Sequence, residues 1–92
     1  MTTPKFPLGS LVATPGALAV IAESGQTPLD FLSRHVRGDW GECGKEDAKL
    51  NDAAVKDGDR VFSAYLTLKG EKIWVITEAD RSSTCILLPS EY

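Results

Sequence analysis

Apolar residues recur along this chain in two rhythms. From Thr14 to Gly38 they fall three and four positions apart, and from Arg60 to Leu88 they alternate or run together; a helical first half and a stranded second half are predicted. Two stretches of the first half, "TPGALAVIAESG" and "TPLDFLSRHVRG", open on Thr-Pro and close on glycine. Thr serves as N-cap, Pro takes the first helical position where its missing N–H is not needed, and glycine supplies a left-handed exit. Leu18, Ile21 and Ala22 form the stripe of the first helix, and Leu29, Leu32 and Val36, flanked by Phe31, that of the second. A third helix, from about Lys45 to Asp57, offers only Leu50, Ala53 and Ala54 to a core.

The second half holds "RVFSAYLTL", "EKIWVITE" and "STCILL", rich in β-branched and aromatic residues and separated by Lys69-Gly70 and Ala79–Ser82. These predict an antiparallel meander. A two-residue turn at Lys69-Gly70 sets Leu66 opposite Ile73, Tyr65 opposite Trp74 and Phe62 opposite Thr77, and a tight second turn sets Trp74 opposite Leu87 and Thr77 opposite Thr84. One face then carries Phe62, Ala64, Leu66, Ile73, Val75, Ile86 and Leu88 as the core. The other carries Ser63, Tyr65, Trp74, Ile76, Cys85 and Leu87, an aromatic row that needs a cover. "FPLGSLVA" (residues 6–13) offers a fourth strand. The expected fold is one α+β domain over residues 1–92, with two or three short N-terminal helices packed on a C-terminal three- to four-stranded antiparallel sheet. Met1 to Pro4 and the loop Trp40 to Gly44 read as its flexible pieces.

Composition agrees with a single domain: 92 residues, 42% of them hydrophobic and 25% charged. A net charge of -3 makes nucleic acid a possible but unfavoured partner. The opening "MTTPKFPLGS" lacks the pattern of a secretion signal and no apolar run approaches the roughly 20 residues of a membrane span, so a cytoplasmic location without membrane attachment is expected. Cys43 and Cys85 stand alone, without the spacing of a metal site, and read as free thiols. Neither metal nor cofactor is expected.

The densest chemistry lies in "RHVRGDWGEC", residues 34–43, which holds the only histidine of the chain. His35 and Arg37 suit the negative end of the second helix, Gly38 ends it, Trp40 plugs the core edge, and Asp39 turns toward Arg81 or toward the amides of the next loop. A second polar group, Glu78, Asp80 and Arg81, surrounds the last turn of the meander. Two functions are compatible with these residues. One is a non-enzymatic protein-binding or regulatory module that uses Arg37, Asp39, Trp40, Tyr65, Trp74, Asp80 and Arg81 to hold a protein partner or a second copy of the chain. The other is a small nuclease or phosphate-acting hydrolase, with His35 as proton carrier, Glu78 as its partner and Arg81 as anion clamp. Nucleotide-binding glycine loops, a zinc-protease helix and a serine-hydrolase elbow are all missing from the sequence.

Taken together, "ATPGAL", "RHVRGDWG", "SAY", "IWVITEADRSST" and "ILLPSEY" resemble a family of small bacterial proteins carried by plasmids and integrative elements. Its members often bear the label "type I restriction endonuclease subunit M" or "plasmid-related protein". The shared pattern includes His35, Gly38, Asp39, Trp40, Gly41, Tyr65, Trp74, Glu78, Asp80 and Arg81, and does not depend on Cys43 or Cys85. A modification subunit needs a cofactor-holding α/β domain and an Asn/Asp-Pro-Pro-aromatic motif for a flipped base; this chain has no Pro-Pro. What the resemblance implies is a mobile-element setting and no established activity; of the two functions the binding module is expected first, because aromatic and arginine anchors are the usual residues of recognition surfaces.

Overall fold

The computed structural model describes residues 5–92, and the two Thr-Pro pairs open its first two helices, α1 (Pro15–Glu23) and α2 (Pro28–Val36). Thr14 Oγ1 accepts from the Ala17 N–H at 3.2 Å, and Asp30 reaches back to the Thr27 N–H at 2.8 Å, so a side-chain cap closes each first turn. Both helices leave through Gly25 and Gly38, at φ +77° and +85°. The third helix, α3, spans Lys45–Asp57.

Their inward faces differ from the predicted stripes. Ala17 and Ile21 are buried in α1 while Leu18 is exposed; α2 buries Phe31, Leu32 and His35 and leaves Leu29 exposed. Short helices with apolar residues on several sides admit more than one inward face, and packing selects among them. In α3 the buried residues are Asn51 and Ala54, with Leu50 and Ala53 left in solvent. Asn51 is chosen over Leu50 because its amide brackets a strand backbone, donating to the Phe62 carbonyl and accepting from the Phe62 N–H at 3.0 Å.

Strands β1 (Ser10–Ala13), β2 (Val61–Leu66), β3 (Lys72–Thr77) and β4 (Ser83–Leu87) form one sheet in the order β1-β4-β3-β2. The meander is antiparallel, as predicted, but β1 runs parallel to β4, so the sheet is mixed. Only Thr14 separates β1 from α1. The strand therefore delivers the chain straight into a helix that packs on β4, a connection that leaves no hairpin turn in the sequence.

Between β3 and β4 the register is the expected one, with Trp74 opposite Leu87 and Thr77 opposite Thr84. Between β2 and β3 it is slipped by one residue: Tyr65 faces Ile73, Phe62 faces Ile76 and Leu66 faces Lys72. The turn is the cause. Thr67 N–H closes onto the Glu71 carbonyl and Gly70 N–H onto that of Thr67, each at 2.8 Å, with Gly70 at φ +83°. The loop is thus Leu68-Lys69-Gly70, three residues instead of two, and a one-residue slip turns β2 over. Val61, Ser63 and Tyr65 face the helices, while Phe62, Ala64 and Leu66 join Trp74 on the outer face.

The main core joins Ala17, Ile21, Phe31, Leu32, Tyr65, Ile73, Val75 and Ile86, and a second cluster joins Phe6, Trp40, Ala54 and Val61. On the outer face Trp74 packs edge-on against Phe62 and Tyr92, which the last turn of the chain (Pro89–Glu91) brings back over the sheet. Met1 to Pro4 lie outside the described residues. The loop Trp40 to Gly44, expected to be flexible, is pinned: Ala64 N–H donates to the Trp40 carbonyl at 3.2 Å and Glu42 N–H to the Ala64 carbonyl at 2.6 Å. Gly41, at φ +70°, approaches so closely that a Cβ there would lie 2.1 Å from the Ala64 oxygen.

Two outcomes follow from this packing. Gly41→Ala is expected to lose distinctly more stability than Gly25→Ala, because both take up a left-handed strain of about 1 kcal/mol but only residue 41 lacks space for the methyl. Thermal melts compare them, and equal losses would mean that the loop does not dock on β2. Val75→Asp is expected to abolish cooperative melting, since an unpaired buried carboxylate costs several kcal/mol against a total stability of about 5–15.

Candidate functional site

His35 was the natural centre of a catalytic reading, and the structure places it at the heart of a closed hydrogen-bond chain. The ring stands on the inner side of α2, fully buried. Its Nδ1 meets Ser63 Oγ and its Nε2 meets Thr77 Oγ1 at 2.9 Å; Thr77 Oγ1 continues to Thr84 Oγ1 at 2.7 Å, and Thr84 Oγ1 donates to the Leu8 carbonyl at 2.8 Å. The carbonyl at the end orders every proton. Thr84 spends its hydrogen on Leu8, so Thr77 donates to Thr84, Nε2–H donates to Thr77, and Ser63 donates to a bare Nδ1. This order is that of a neutral imidazole, the form that full burial favours. Burial, with a smaller contribution from the charge of Arg81, pulls its pKa from 6.5 down to about 4.

A serine hydroxyl on an imidazole is the pairing that activates a nucleophile. Here Ser63 and His35 are both fully buried, and both ring nitrogens are occupied. The two proposed helpers of His35 are engaged elsewhere. Glu78 forms a two-pronged pair with Arg60, both contacts at 3.3 Å. Arg81, at φ +60°, donates to the carbonyls of Asp59 at 2.6 Å, Ala54 at 3.0 Å and Glu78 at 3.2 Å. Its guanidinium thus serves the carbonyl-rich end of α3, where a cation is favoured. His35 and Arg81 pack on the same ring, Phe6, and do not converge with Glu78 on an open cleft.

The residues expected to bind a partner are dispersed as well. Asp39 pairs with Arg34, at 2.7 and 3.3 Å, and accepts from the Gly41 N–H at 3.1 Å, so it orders the next loop as expected but turns to Arg34 instead of Arg81. The Arg34 hydrogen bonds hold its carboxyl below the usual range. Trp40 is buried, with its indole N–H on the Asp52 carboxylate at 3.1 Å. Tyr65 lies in the core, donating to the Asp39 carbonyl at 2.6 Å under the Arg34 guanidinium, and is no part of the outer face. Burial raises its phenol pKa. Asp80 accepts from the Ser82 N–H at 3.0 Å within the turn. Arg37 closes α2 and is exposed, and Trp74 is half-buried on the outer face. Among the described residues no three His, Cys, Asp or Glu side chains gather as a metal site, and no helix is long and apolar enough to cross a membrane. Cys43 and Cys85 are free.

Among the described residues the remaining open feature is one the sequence reading passed over, the edge of β1 away from β4, which no described strand pairs. Ser10 N–H donates to the Ser82 carbonyl and Thr14 N–H to that of Ile86, both at 3.0 Å. Even-numbered residues of this parallel pairing therefore point at β4, and the N–H and C=O groups of Leu11 and Ala13 point away from the sheet. Beside this edge lies an apolar cavity of about 200 Å³ lined by Leu11, Val12, Ala13, Pro28, Leu32, Thr84 and Ile86. Cavities of roughly 150 Å³ accept a benzene-sized guest, so one aliphatic or aromatic side chain fits. The Thr84 hydroxyl is already committed to Leu8 and Thr77, which leaves the lining without a free polar side-chain group. The signal in the sequence was an uncharged strand, Ser10–Ala13, without the lysine or proline that commonly guards an edge.

Comparison of the chain with protein-family models, with curated proteins and with solved structures gives no match in any of the three.

The histidine chain predicts a pH dependence. As pH falls below 6.5 the unfolded chain takes up a proton on His35, whereas the folded protein holds it off until about 4. The unfolded state binds more protons within that window, so stability is complete above it and declines as pH drops through it. The shift corresponds to roughly 3 kcal/mol. Denaturant melts at both ends of the window are expected to show a larger acid loss for the wild type than for His35→Gln, and parallel curves would refute a buried neutral imidazole. Thr84→Val, which strands both Thr77 and the Leu8 carbonyl, is expected to cost about 1–3 kcal/mol at neutral pH in the same assay.

Proposed function

We propose that this protein is a non-enzymatic binding module of a mobile element, and that it binds by adding an extended strand to the free edge of β1. The setting rests on the sequence resemblance. The binding mode rests on one observation: the outward backbone groups of Leu11 and Ala13 run alongside an apolar cavity of about 200 Å³. Strand addition uses these two elements together, main-chain hydrogen bonds for affinity and a pocket for an alternate side chain for selectivity.

Leu11 is 58% and Val12 52% exposed, an unusual state for the two largest apolar residues of a strand in a sheet whose far edge is docked by Asn51 and the Trp40–Glu42 loop. Leu29, next to the Pro28 that lines the cavity, is 69% exposed and extends the apolar rim. The polar clusters that suggested chemistry serve the fold, through α3 capping by Arg81, edge docking by Asp39 and Trp40, and the Arg60–Glu78 pair.

Selection of binders from a random phage-displayed peptide library tests the reading. Selected peptides are expected to share an apolar residue that enters the cavity and to shift the amide resonances of Leu11 and Ala13. Peptides that instead shift Trp74 and its neighbours would overturn it in favour of the outer face, and Leu11→Pro, which removes an outward N–H and no internal bond, is expected to abolish binding.

A further inference from the structure

The free edge of β1 also specifies which strand it takes, and we infer that the occupant is a second copy of this chain, paired antiparallel about a two-fold axis through Val12. The inference rests on the edge-binding reading above. In an antiparallel pair, residues with outward groups exchange two hydrogen bonds with a residue of the same kind opposite, and the residues between them oppose one another without hydrogen bonds. Leu11 and Ala13 are the outward pair of β1. Set opposite its own reverse, Leu11 faces Ala13 of the second copy, Ala13 faces its Leu11, and Val12 faces its Val12. All four outward groups of each copy are satisfied in that single register.

Side chains fall into place in the same register. Opposed residues share a face of the sheet, and Ala13 is aligned with Ile86 on the helix side. Leu11 of the second copy therefore descends beside Ala13, over the cavity lined by Ile86, Leu32 and Pro28. A leucine on one copy fills the cavity of the other, and the reverse contact is made by symmetry, as an isologous interface requires. The sheet becomes eight-stranded, with the helices of both copies on one side and the edges at its two ends closed by Asn51 and the Trp40–Glu42 loop.

Charge favours this occupant. The chain carries a net charge of -3, so two copies repel through most of their surfaces, but from Phe6 to Ala22 there is no charged residue at all. The β1 edge is where two identical acidic chains meet without opposing like charges.

The pairing is tested by cysteine linkage in the full chain with Cys43 and Cys85 replaced by Ser. Val12→Cys is expected to form a disulfide-linked dimer under mild oxidation, because opposed non-hydrogen-bonded residues lie within the Cα separation a disulfide spans. Leu11→Cys alone is expected not to link, whereas a mixture of Leu11→Cys and Ala13→Cys protein is expected to give a mixed dimer. Light scattering is expected to show twice the chain mass for the wild type and the single-chain mass for Leu11→Lys, whose exposed position tolerates the charge in the monomer. A monomer at every concentration, or a dimer in which Val12→Cys does not link, overturns the inference. If selected peptides nonetheless bind at Leu11 and Ala13, the edge reading survives with a different occupant; if they do not, both readings fall.

Discussion

A single buried imidazole connects most of this molecule. His35 projects from α2 into the sheet and bonds to β2 through Ser63 and to β3 through Thr77; the hydroxyls carry the connection on to β4 at Thr84 and to Leu8, just before β1. Apolar contacts between a helix and a sheet tolerate sliding, whereas a directional chain of this kind has one arrangement in which every partner is satisfied. No buried polar side-chain atom is left without a partner among the described residues. The same chain explains why β2 must present Ser63 inward. Turning β2 over by one residue would put Phe62 and Ala64 against His35 and leave Nδ1 without its partner.

The two edges of the sheet show opposite treatment. At β2, the Asn51 amide takes both backbone groups of Phe62, and the backbone of Trp40 and Glu42 takes those of Ala64. Gly41 makes that approach possible because it has no Cβ to strike the strand. The arginine and aspartate that surround it in the sequence hold the loop in place: Asp39 is gripped by Arg34 and orders the Gly41 amide. At β1 none of these devices is present among the described residues. A protein that closes one edge with this many contacts and leaves the other apolar and uncharged has an asymmetric sheet.

Density of ionisable residues in the sequence was a poor guide to function here. Two arginines that read as anion-binding or recognition groups have other places, Arg81 at the end of α3 and Arg37 at the exposed end of α2, and Arg34 is held on Asp39 and the Tyr65 ring. A guanidinium satisfies several carbonyls at once, so an all-polar loop or helix end draws on arginine for its own closure before any ligand is involved. The site that remains is poor in charge and made largely of backbone, a kind of chemistry to which residue identities say little.

Sequence alone determined the local elements, because their signals are local. Thr-Pro pairs, terminal glycines and the change from helical to alternating periodicity located three helices and the meander, and β3 kept its predicted faces, with Val75 inward and Trp74 outward. The end of α2 before Gly38 and the buried Trp40 with its indole on a carboxylate were legible for the same reason. Tertiary structure decided what depended on distant partners. A single extra residue in the Leu68–Gly70 loop reversed β2 and moved Tyr65 into the core, and α3 buried Asn51 over Leu50 because a strand backbone needed its amide. His35 changed from a reactive candidate to a neutral strut when hydroxyls from β2 and β3 met its two ring nitrogens. The parallel seating of β1 had no sequence signature, since pairing between residues more than seventy positions apart is selected by the packing of the whole chain and not by any neighbour along it.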